Sequence, residues 1–363
     1  MSGGYLDSAS SEPLHPAARE AVLAALDQGY ADPRRLHTAA RNARLLLDNA
    51  REATAEALGV RRDEVSFTSS GTDAVHRGLL GLVRPGSEVA HAAVEHSSVL
   101  HALAWRPDLS SRRVLVDAFG RIDLDDLGAP DVLALQSANH EVGTRQPVAE
   151  AAARLGDVPV FMDAGASMGR EPLPTGWAVA AGSAHKWGGP AGVGVLLVRK
   201  DARWRNPFPV DDRVDDRASG FENVPAALGA AAALQAVVAE RDEVNARQVA
   251  LIDRIRAAVE RIPDTEVVGD PVDRLPHLVT FSFLYVDGEA IVDALNRRGL
   301  GVASGSACTA STLEPSHVLA AMGALTHGNV RVSLTRDSTD GDVDALLGAL
   351  PEVVAGIRRD AGL

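Results

Sequence analysis

The sequence predicts an α/β fold, with a large domain built on a mostly parallel central sheet and a smaller α+β domain. Three observations predict it. Short β-branched runs alternate with amphipathic stretches over 64–200, a long Ala-rich helical region covers 223–262, and a strand–helix–strand pattern follows. We expect the large domain to span 14–248 and the smaller domain to combine 1–13 with 249–363.

Each element is justified by its own pattern of apolar residues. Short runs rich in Val, Ile, Leu and Phe predict strands of the large domain at 64–69, 87–93, 112–118, 131–138, 159–165, 177–184 and 192–200. Helical spacing predicts helices near 16–28, 38–58 and 71–83, and two helices within 223–262 that meet near 240–247. The smaller domain reads as a strand at 277–284, a helix at 288–299, a strand at 329–334 and a helix from about 339.

Composition and charge exclude several classes of function. The formal net charge is −13, whereas nucleic acids and anionic bilayers are bound by clustered positive charge. No run approaches the roughly 18 apolar residues of a membrane span, and the N-terminus lacks the pattern of a secretory signal. The single cysteine, Cys308, excludes a disulfide within the chain. We expect a cytoplasmic protein that binds neither nucleic acid nor membrane.

Polar side chains follow the predicted strands at the edge where ligands bind in parallel sheets. Ser69, Ser70, Gly71 and Thr72 open a helix and offer N–H groups and hydroxyls to an anion, although the stretch alone favours an ordinary helix cap. The other candidates, each weak by itself, are His96, Asn139, His140, Glu141, Asp163, Ser183, His185 and Lys186. The spacing of His91, His96 and His101 does not fit a zinc site, and we expect no bound metal.

Lysine is scarce in this chain. Only two of the 36 Lys and Arg residues are lysines, Lys186 and Lys200. A phosphate cradle, an acidic side chain and a lysine together suggest pyridoxal phosphate, which a lysine holds covalently while an Asp keeps its ring nitrogen protonated. Lys186 lies beside Gly188 and Gly189, which leave room for a cofactor, whereas Lys200 ends an apolar strand. Lys186 is therefore the predicted cofactor lysine.

Cys308 is the remaining candidate for chemistry. A lone cysteine is most often an inert, buried thiol. Around Cys308, however, Gly, Ser, Ala and Thr replace the apolar periodicity of a packed element, which predicts an exposed loop. A thiolate there could meet a substrate and then a second protein.

Motifs that carry a family likeness run along nearly the whole chain, among them YLDSASSEP (5–13), FTSSGTDA (67–74), EHSSVL (95–100), SANHEVGTRQPV (137–148), MDAGASMG (162–169), SAHKWGGPAGVG (183–194), ASGSACTASTLEPSHVLAAMG (303–323) and NVRVSL (329–334). With them the chain resembles the cysteine desulfurases, in the class V branch of the fold-type I pyridoxal phosphate enzymes. The resemblance implies a homodimer that converts L-cysteine to L-alanine and passes a persulfide to an acceptor protein, for iron–sulfur or thio-metabolite biosynthesis.

The resemblance also implies a role for each candidate residue. Lys186 would hold the cofactor and move the Cα proton, Asp163 would pair with the ring nitrogen, and His96 would stack on the ring as an acid or base. The phosphate would be bound by Gly71, Thr72, Ser183 and His185. Asn139 and Arg331 would bind the substrate, Arg331 by clamping its carboxylate. Cys308 would attack the substrate sulfur and carry the persulfide.

Three positions depart from the family pattern. His140 stands where the family has Asn and Ala166 where it has Gln, both near the cofactor's ring oxygen, so the bound cofactor is expected to have a shifted absorption maximum. Phe221 stands where the family's Thr reaches the partner subunit's phosphate, which predicts weaker cofactor retention. Two alternatives stay open: another pyridoxal phosphate lyase or aminotransferase, such as a selenocysteine lyase-like enzyme, and a degenerate, non-catalytic partner subunit.

Overall fold

A computed structural model describes residues 4–209, 215–304 and 315–362. Its helices are α1 (Pro16–Leu26), α2 (Thr38–Leu58), α3 (Gly71–Leu82), α4 (Ser97–Ala104), α5 (Val148–Leu155), α6 (Val224–Val259), α7 (Gly288–Asn296), α8 (His317–Met322) and α9 (Asp340–Asp360). Its strands are β1 (Val65–Thr68), β2 (Glu88–Ala92), β3 (Ser110–Val114), β4 (Val132–Ala134), β5 (Val160–Asp163), β6 (Val179–Ser183), β7 (Gly194–Val198), β8 (Thr265–Val268), β9 (Leu278–Phe283) and β10 (Asn329–Ser333).

The larger sheet has seven strands in the order β1-β7-β6-β5-β4-β2-β3. The strand pairs β2–β3, β2–β4, β4–β5 and β5–β6 are parallel. Strand β7 runs antiparallel to both of its neighbours, β1 and β6. Strands β4, β6 and β7 are buried along their whole length, as expected for a sheet covered on both faces. The prediction of a mostly parallel central sheet is confirmed.

The smaller sheet has three antiparallel strands in the order β10-β9-β8. The sequence pattern predicts β9 and β10 but not β8. Strand β8 is only four residues long and lies between Pro263 and Gly269, so it lacks the longer apolar run that would indicate a strand. The N-terminal segment adds isolated bridges from Tyr5 to Gly301 and from Asp7 to Ser333, which tie it to the side of this sheet.

Helix α6 corrects one prediction. The expected break near 240–247 does not exist, and one helix of 36 residues runs from Val224 to Val259. The stretch ERDEVNAR at 240–247 contains neither Gly nor Pro, so nothing in it interrupts the helical hydrogen bonds. The helix begins with Pro225 in its first turn and with Asn223 as N-cap, which accepts from Ala226 N at 3.2 Å.

The two sheets have separate apolar cores, and α6 contributes to both. Its first half buries Ala230 and Leu234 against the larger sheet, and its second half buries Ile252 and Ile255 against the smaller one. The predicted domain boundary at residue 248 falls inside this helix and stays a prediction. Within the described residues, none of the helices is both long and apolar enough to cross a bilayer.

Candidate active site

A cavity of about 290 Å³ lies at the end of the larger sheet where β5 and β6 finish and α3 begins. Its lining includes nine of the sequence-predicted site residues: Gly71, Thr72, His96, His140, Asp163, Ser183, His185, Lys186 and Arg331. Ala166 also lines it. Cys308 lies outside the described residues. The cavity therefore brings together a lysine, a carboxylate, hydroxyl groups and an arginine, and its nine predicted residues span positions 71 to 331 of the sequence.

The hydroxyl-rich end of the cavity is formed by the start of α3 and the end of β6. Ser70 is the N-cap of α3, and its hydroxyl accepts from Asp73 N at 3.0 Å, so the capping explanation of this residue is correct. Gly71 and Thr72 follow it and face the cavity. A Cβ on Gly71 would lie 2.5 Å from Ser183 Cβ, so only glycine lets the helix start approach β6 this closely. Ser183 Oγ in turn lies 3.0 Å from His185 Nδ1.

Lys186 sits in a short 3-10 turn, Ala184–Trp187, directly after β6. The turn ends at Gly188, whose φ of 79° favours glycine, and the ammonium of Lys186 donates to the carbonyl of Ala9. Asp163 ends the neighbouring strand β5, and its Oδ1 accepts from Gly165 N at 2.8 Å. The lysine and the carboxylate thus project from adjacent strands of one sheet.

His96 caps the N-terminus of α4 and has a defined neutral tautomer. The backbone N–H of Ser98 donates to His96 Nδ1 at 3.2 Å, and Ser98 Oγ lies 2.7 Å from the same atom. Because Nδ1 accepts, the proton of the neutral ring is on Nε2. Burial lowers the pKa of His96, and nearby Lys186 lowers it further while Asp163 raises it.

His140 packs edge-on against His96, with ring centroids 4.9 Å apart and an interplanar angle of 81°. Burial places the pKa of His140 well below the ordinary value, and the neighbouring His96 and Arg331 act in the same direction. Its Nδ1 is buried without a hydrogen-bond partner. The two histidines therefore present neutral rings to the cavity near neutral pH.

Arg331 is held through its side chain by contacts from two parts of the chain, the N-terminal segment and the loop after β4. Its side chain is 5% exposed and extends from β10 into the cavity. Nη2 donates to Asp7 Oδ1 at 3.0 Å and to Ser10 Oγ at 2.8 Å, and Nη1 donates to His140 O at 3.2 Å. Nε is buried without a partner.

Asn139, to which the family resemblance assigns a substrate contact, does not line the cavity. It is fully buried, and its amide holds the loop after β4: Nδ2 donates to Val94 O at 3.1 Å, and Oδ1 accepts from Glu141 N and Val142 N, each at 2.8 Å. These bonds use most of its hydrogen-bonding capacity. Contact between Asn139 and a substrate stays a prediction.

Sequence reasoning missed three polar residues that line the cavity, Ser10, Ser98 and Gln136. Ser10 belongs to the N-terminal motif and Ser98 to the EHSSVL motif, so both lie in stretches that carried the family likeness. Phe221 lies away from the cavity and is 57% exposed. Its effect on cofactor retention stays a prediction.

Glu141, next to His140, is a buried carboxyl that titrates near neutral pH. It is 4% exposed, its Oε2 accepts from Ser316 Oγ at 2.9 Å, and its Oε1 is buried without a partner. Burial raises its pKa from 4.5 to about 7. The folded protein therefore binds this proton more tightly than the unfolded chain does, and the resulting stability is lost as the pH rises through about 7.

Replacing Glu141 with glutamine should remove this pH dependence. When the pH rises from about 5 to about 7, the unfolding free energy of the wild type should fall by about 2 kcal/mol more than that of Glu141→Gln, because the pKa of Glu141 is raised. Urea unfolding of both proteins at the two pH values measures the difference, with the exposed Glu20→Gln as the control. Equal pH dependence in wild type and Glu141→Gln would show that the carboxyl titrates normally.

Comparisons with known proteins identify the family. The family model "Aminotransferase class-V" matches residues 4–346. The IscS-like cysteine desulfurase of Mycobacterium tuberculosis is 36% identical, covering 98% of this chain and 98% of that protein. The cysteine desulfurase IscS of Methanosarcina thermophila is 31% identical, covering 98% and 93%.

Solved structures give the same result for the fold. A NifS-like protein superposes with a TM-score of 0.89 at 25% identity, covering 97% of this chain and 99% of that one. The NifS-like protein from Rickettsia africae, at 23% identity and a TM-score of 0.87, shares the fold over 97% of this chain and 99% of that one. The chain therefore belongs to the class-V aminotransferase family and, within it, to the cysteine desulfurases.

Proposed function

We propose that this protein is a pyridoxal phosphate-dependent enzyme that transfers sulfur from L-cysteine to Cys308 and releases L-alanine. The single observation that carries the proposal is the cavity that collects Lys186, Asp163, His96 and Arg331, in a chain whose relatives are cysteine desulfurases. In the reaction the substrate C–S bond breaks, an S–S bond forms at the Cys308 thiolate, and Cα and Cβ end as alanine. Cysteine and thiol are together converted to alanine and persulfide, so no external oxidant is needed.

The residues of the cavity fit pyridoxal phosphate. The start of α3, with Gly71 packed against Ser183, leaves N–H groups and the Thr72 hydroxyl available for a phosphate. Asp163 offers a carboxylate at the end of β5 and Lys186 an amine beside it. When bound, the cofactor supplies an electron sink for the charge that develops at Cα.

The protein's own groups bind and move protons around the substrate. Arg331 carries the only guanidinium that lines the cavity in the described chain, which makes it the group that binds a substrate carboxylate. His96, neutral and with its proton on Nε2, can donate a hydrogen bond from that atom and act as an acid or base. Lys186 is the amine that exchanges the Cα proton.

The remaining parts of the proposal concern partners and location. We infer a homodimer in the cytoplasm that hands the sulfur on Cys308 to an acceptor protein. The support is the likeness to the desulfurases and the long SGSACT form of the cysteine loop.

The experiment that tests the function begins with the purified protein loaded with pyridoxal phosphate. Adding L-cysteine with a thiol reductant should release alanine and sulfide in equal amounts, and L-serine, which has no sulfur, should release neither sulfide nor alanine. Selenocysteine turned over in preference to cysteine would favour a selenocysteine lyase-like enzyme. A loaded protein without turnover would favour the non-catalytic subunit.

His140 should tune the absorption of the bound cofactor. Its neutral, buried ring replaces an amide, so His140→Asn restores the family's side chain and changes the hydrogen bonding near the cofactor. We expect the visible maximum, and the pH at which it changes, to shift in His140→Asn, with cofactor affinity changed at most about tenfold. A spectral pH titration measures both, with His101→Asn, at an exposed position of α4, as the control. Superimposable titrations of wild type and His140→Asn would show that His140 does not contact the cofactor.

A further inference from the structure

The N-terminal segment 7–10 contacts both cationic side chains of the cavity. Asp7 and Ser10 bind Arg331, and the carbonyl of Ala9 accepts from Lys186. The segment is fixed alongside the end of β10, because Ser8 N donates to Ser333 O and Ala9 N donates to Ser333 Oγ at 2.9 Å. Arg331, which meets the substrate carboxylate in the proposed function, is therefore held by a segment that is itself bonded to the end of β10, the strand that carries Arg331.

Asp7 and Ser10 form a closed set of hydrogen bonds with Arg331. Ser10 Oγ donates to Asp7 Oδ1 at 2.9 Å and accepts from Arg331 Nη2 at 2.8 Å, while Nη2 also donates to Asp7 Oδ1 at 3.0 Å. The Arg331 side chain is 5% exposed and that of Asp7 is 21% exposed, so the ion pair is largely removed from water. A charge-assisted bond in such a place is stronger than a surface pair.

These contacts decide how a carboxylate can bind. A bidentate clamp needs two neighbouring N–H groups of the guanidinium, and each such pair includes Nη2. Nη2 donates both to the charged Asp7 and to the neutral Ser10. Ser10 lines the cavity and Asp7 does not. A substrate carboxylate entering from the cavity therefore displaces Ser10, the weaker acceptor, and leaves Asp7 in place.

We propose that Asp7 is the positioning residue of Arg331, which it orients so that the substrate carboxylate replaces Ser10 on Nη2. This inference rests on the proposed function, because the ligand is the carboxylate of an α-amino acid. It adds a requirement of its own: affinity for the carboxylate depends on a residue that does not line the cavity. Without Asp7 the buried guanidinium loses its charged partner and its fixed orientation.

The test compares two ligands that differ only in the carboxylate, L-alanine and ethylamine. Calorimetry on the pyridoxal phosphate-loaded protein should show that Asp7→Ala weakens L-alanine binding about tenfold or more and ethylamine binding less than about twofold. Asp7→Asn keeps an oxygen acceptor and should weaken L-alanine binding less than Asp7→Ala does. Asp63→Ala, which removes a surface carboxylate from Arg61, is the matched control and should change neither affinity.

Each outcome is decisive. If Asp7→Ala does not fold, as judged from its thermal midpoint, Asp7→Asn carries the test with an expected loss of about threefold for L-alanine alone. Equal weakening of both ligands, no weakening of either, or a wild type that binds L-alanine no better than ethylamine overturns the inference. A wild type that releases no alanine from cysteine, yet shows the Asp7-dependent selectivity for L-alanine, refutes the proposed function and supports the role of Asp7.

Discussion

Lys186→Ala should lower alanine formation from L-cysteine by about 10³-fold or more and abolish covalent attachment of the cofactor. Lys186 is the only lysine that lines the cavity in the described chain, and Asp163, Gly71 and Ser183 line the same cavity. In the proposed function its loss removes both the covalent anchor and the proton-transferring amine, and the chain's other lysine, Lys200, does not line the cavity.

The chain offers a matched control for this substitution, because Lys200 is its only other lysine. Lys200→Ala should keep wild-type activity. Borohydride reduction of the loaded wild type, followed by peptide mass spectrometry, should place the cofactor on the peptide that contains Lys186. Label on Lys200, or substantial activity in Lys186→Ala, would contradict the assignment.

Cys308→Ala should bind cofactor and L-cysteine as the wild type does but form alanine at least about 10³-fold more slowly. The sulfur of the substrate would have no thiolate to accept it. Cys308 itself lies outside the described residues, but the chain before it is anchored at the cavity: Arg331 N donates to Ala303 O at 2.7 Å. After it, Ser316 donates to Glu141.

The measurement separates loss of sulfur transfer from loss of the site. Spectra of Cys308→Ala should still change when L-cysteine is added, while released alanine falls to background. Cys308→Ser is the conservative control and should behave like the alanine variant, because a hydroxyl does not accept the sulfur. Full alanine release by Cys308→Ala would favour the lyase or aminotransferase alternative.

Local patterns sufficed for most of the architecture. Most of the large-sheet strands are short, buried runs, although β3 is mostly exposed, and each strand overlaps its predicted range, as β7 does within 192–200. Helical spacing alone wrongly predicts a division of the long α6, because the polar stretch 240–247 has no apolar periodicity, although most of its residues are good helix formers. Four-residue β8 is too short to show a period.

Such local patterns cannot predict contacts between residues that are distant in sequence. The pairing of Asp7 with Arg331 joins residues 324 apart, and only the folded chain brings them together. Asn139 adds a second example, because its amide holds the backbone of its own loop, which no local pattern predicts, while its contact with a substrate stays a prediction. His96, Asp163 and Lys186 are predictable from the sequence because each lies at the end of a strand of one sheet or within a few residues after it.

The most direct test of the central claim is a single turnover with ³⁵S-labelled L-cysteine, without acceptor or reductant. The loaded wild type should form one alanine for each sulfur retained by the protein, with the label on the Cys308 peptide and lost on treatment with a thiol. Cys308→Ala should retain no label and form no alanine. Alanine formed without protein-bound sulfur, or label on the protein in the absence of Cys308, would contradict the proposed transfer of sulfur through this residue.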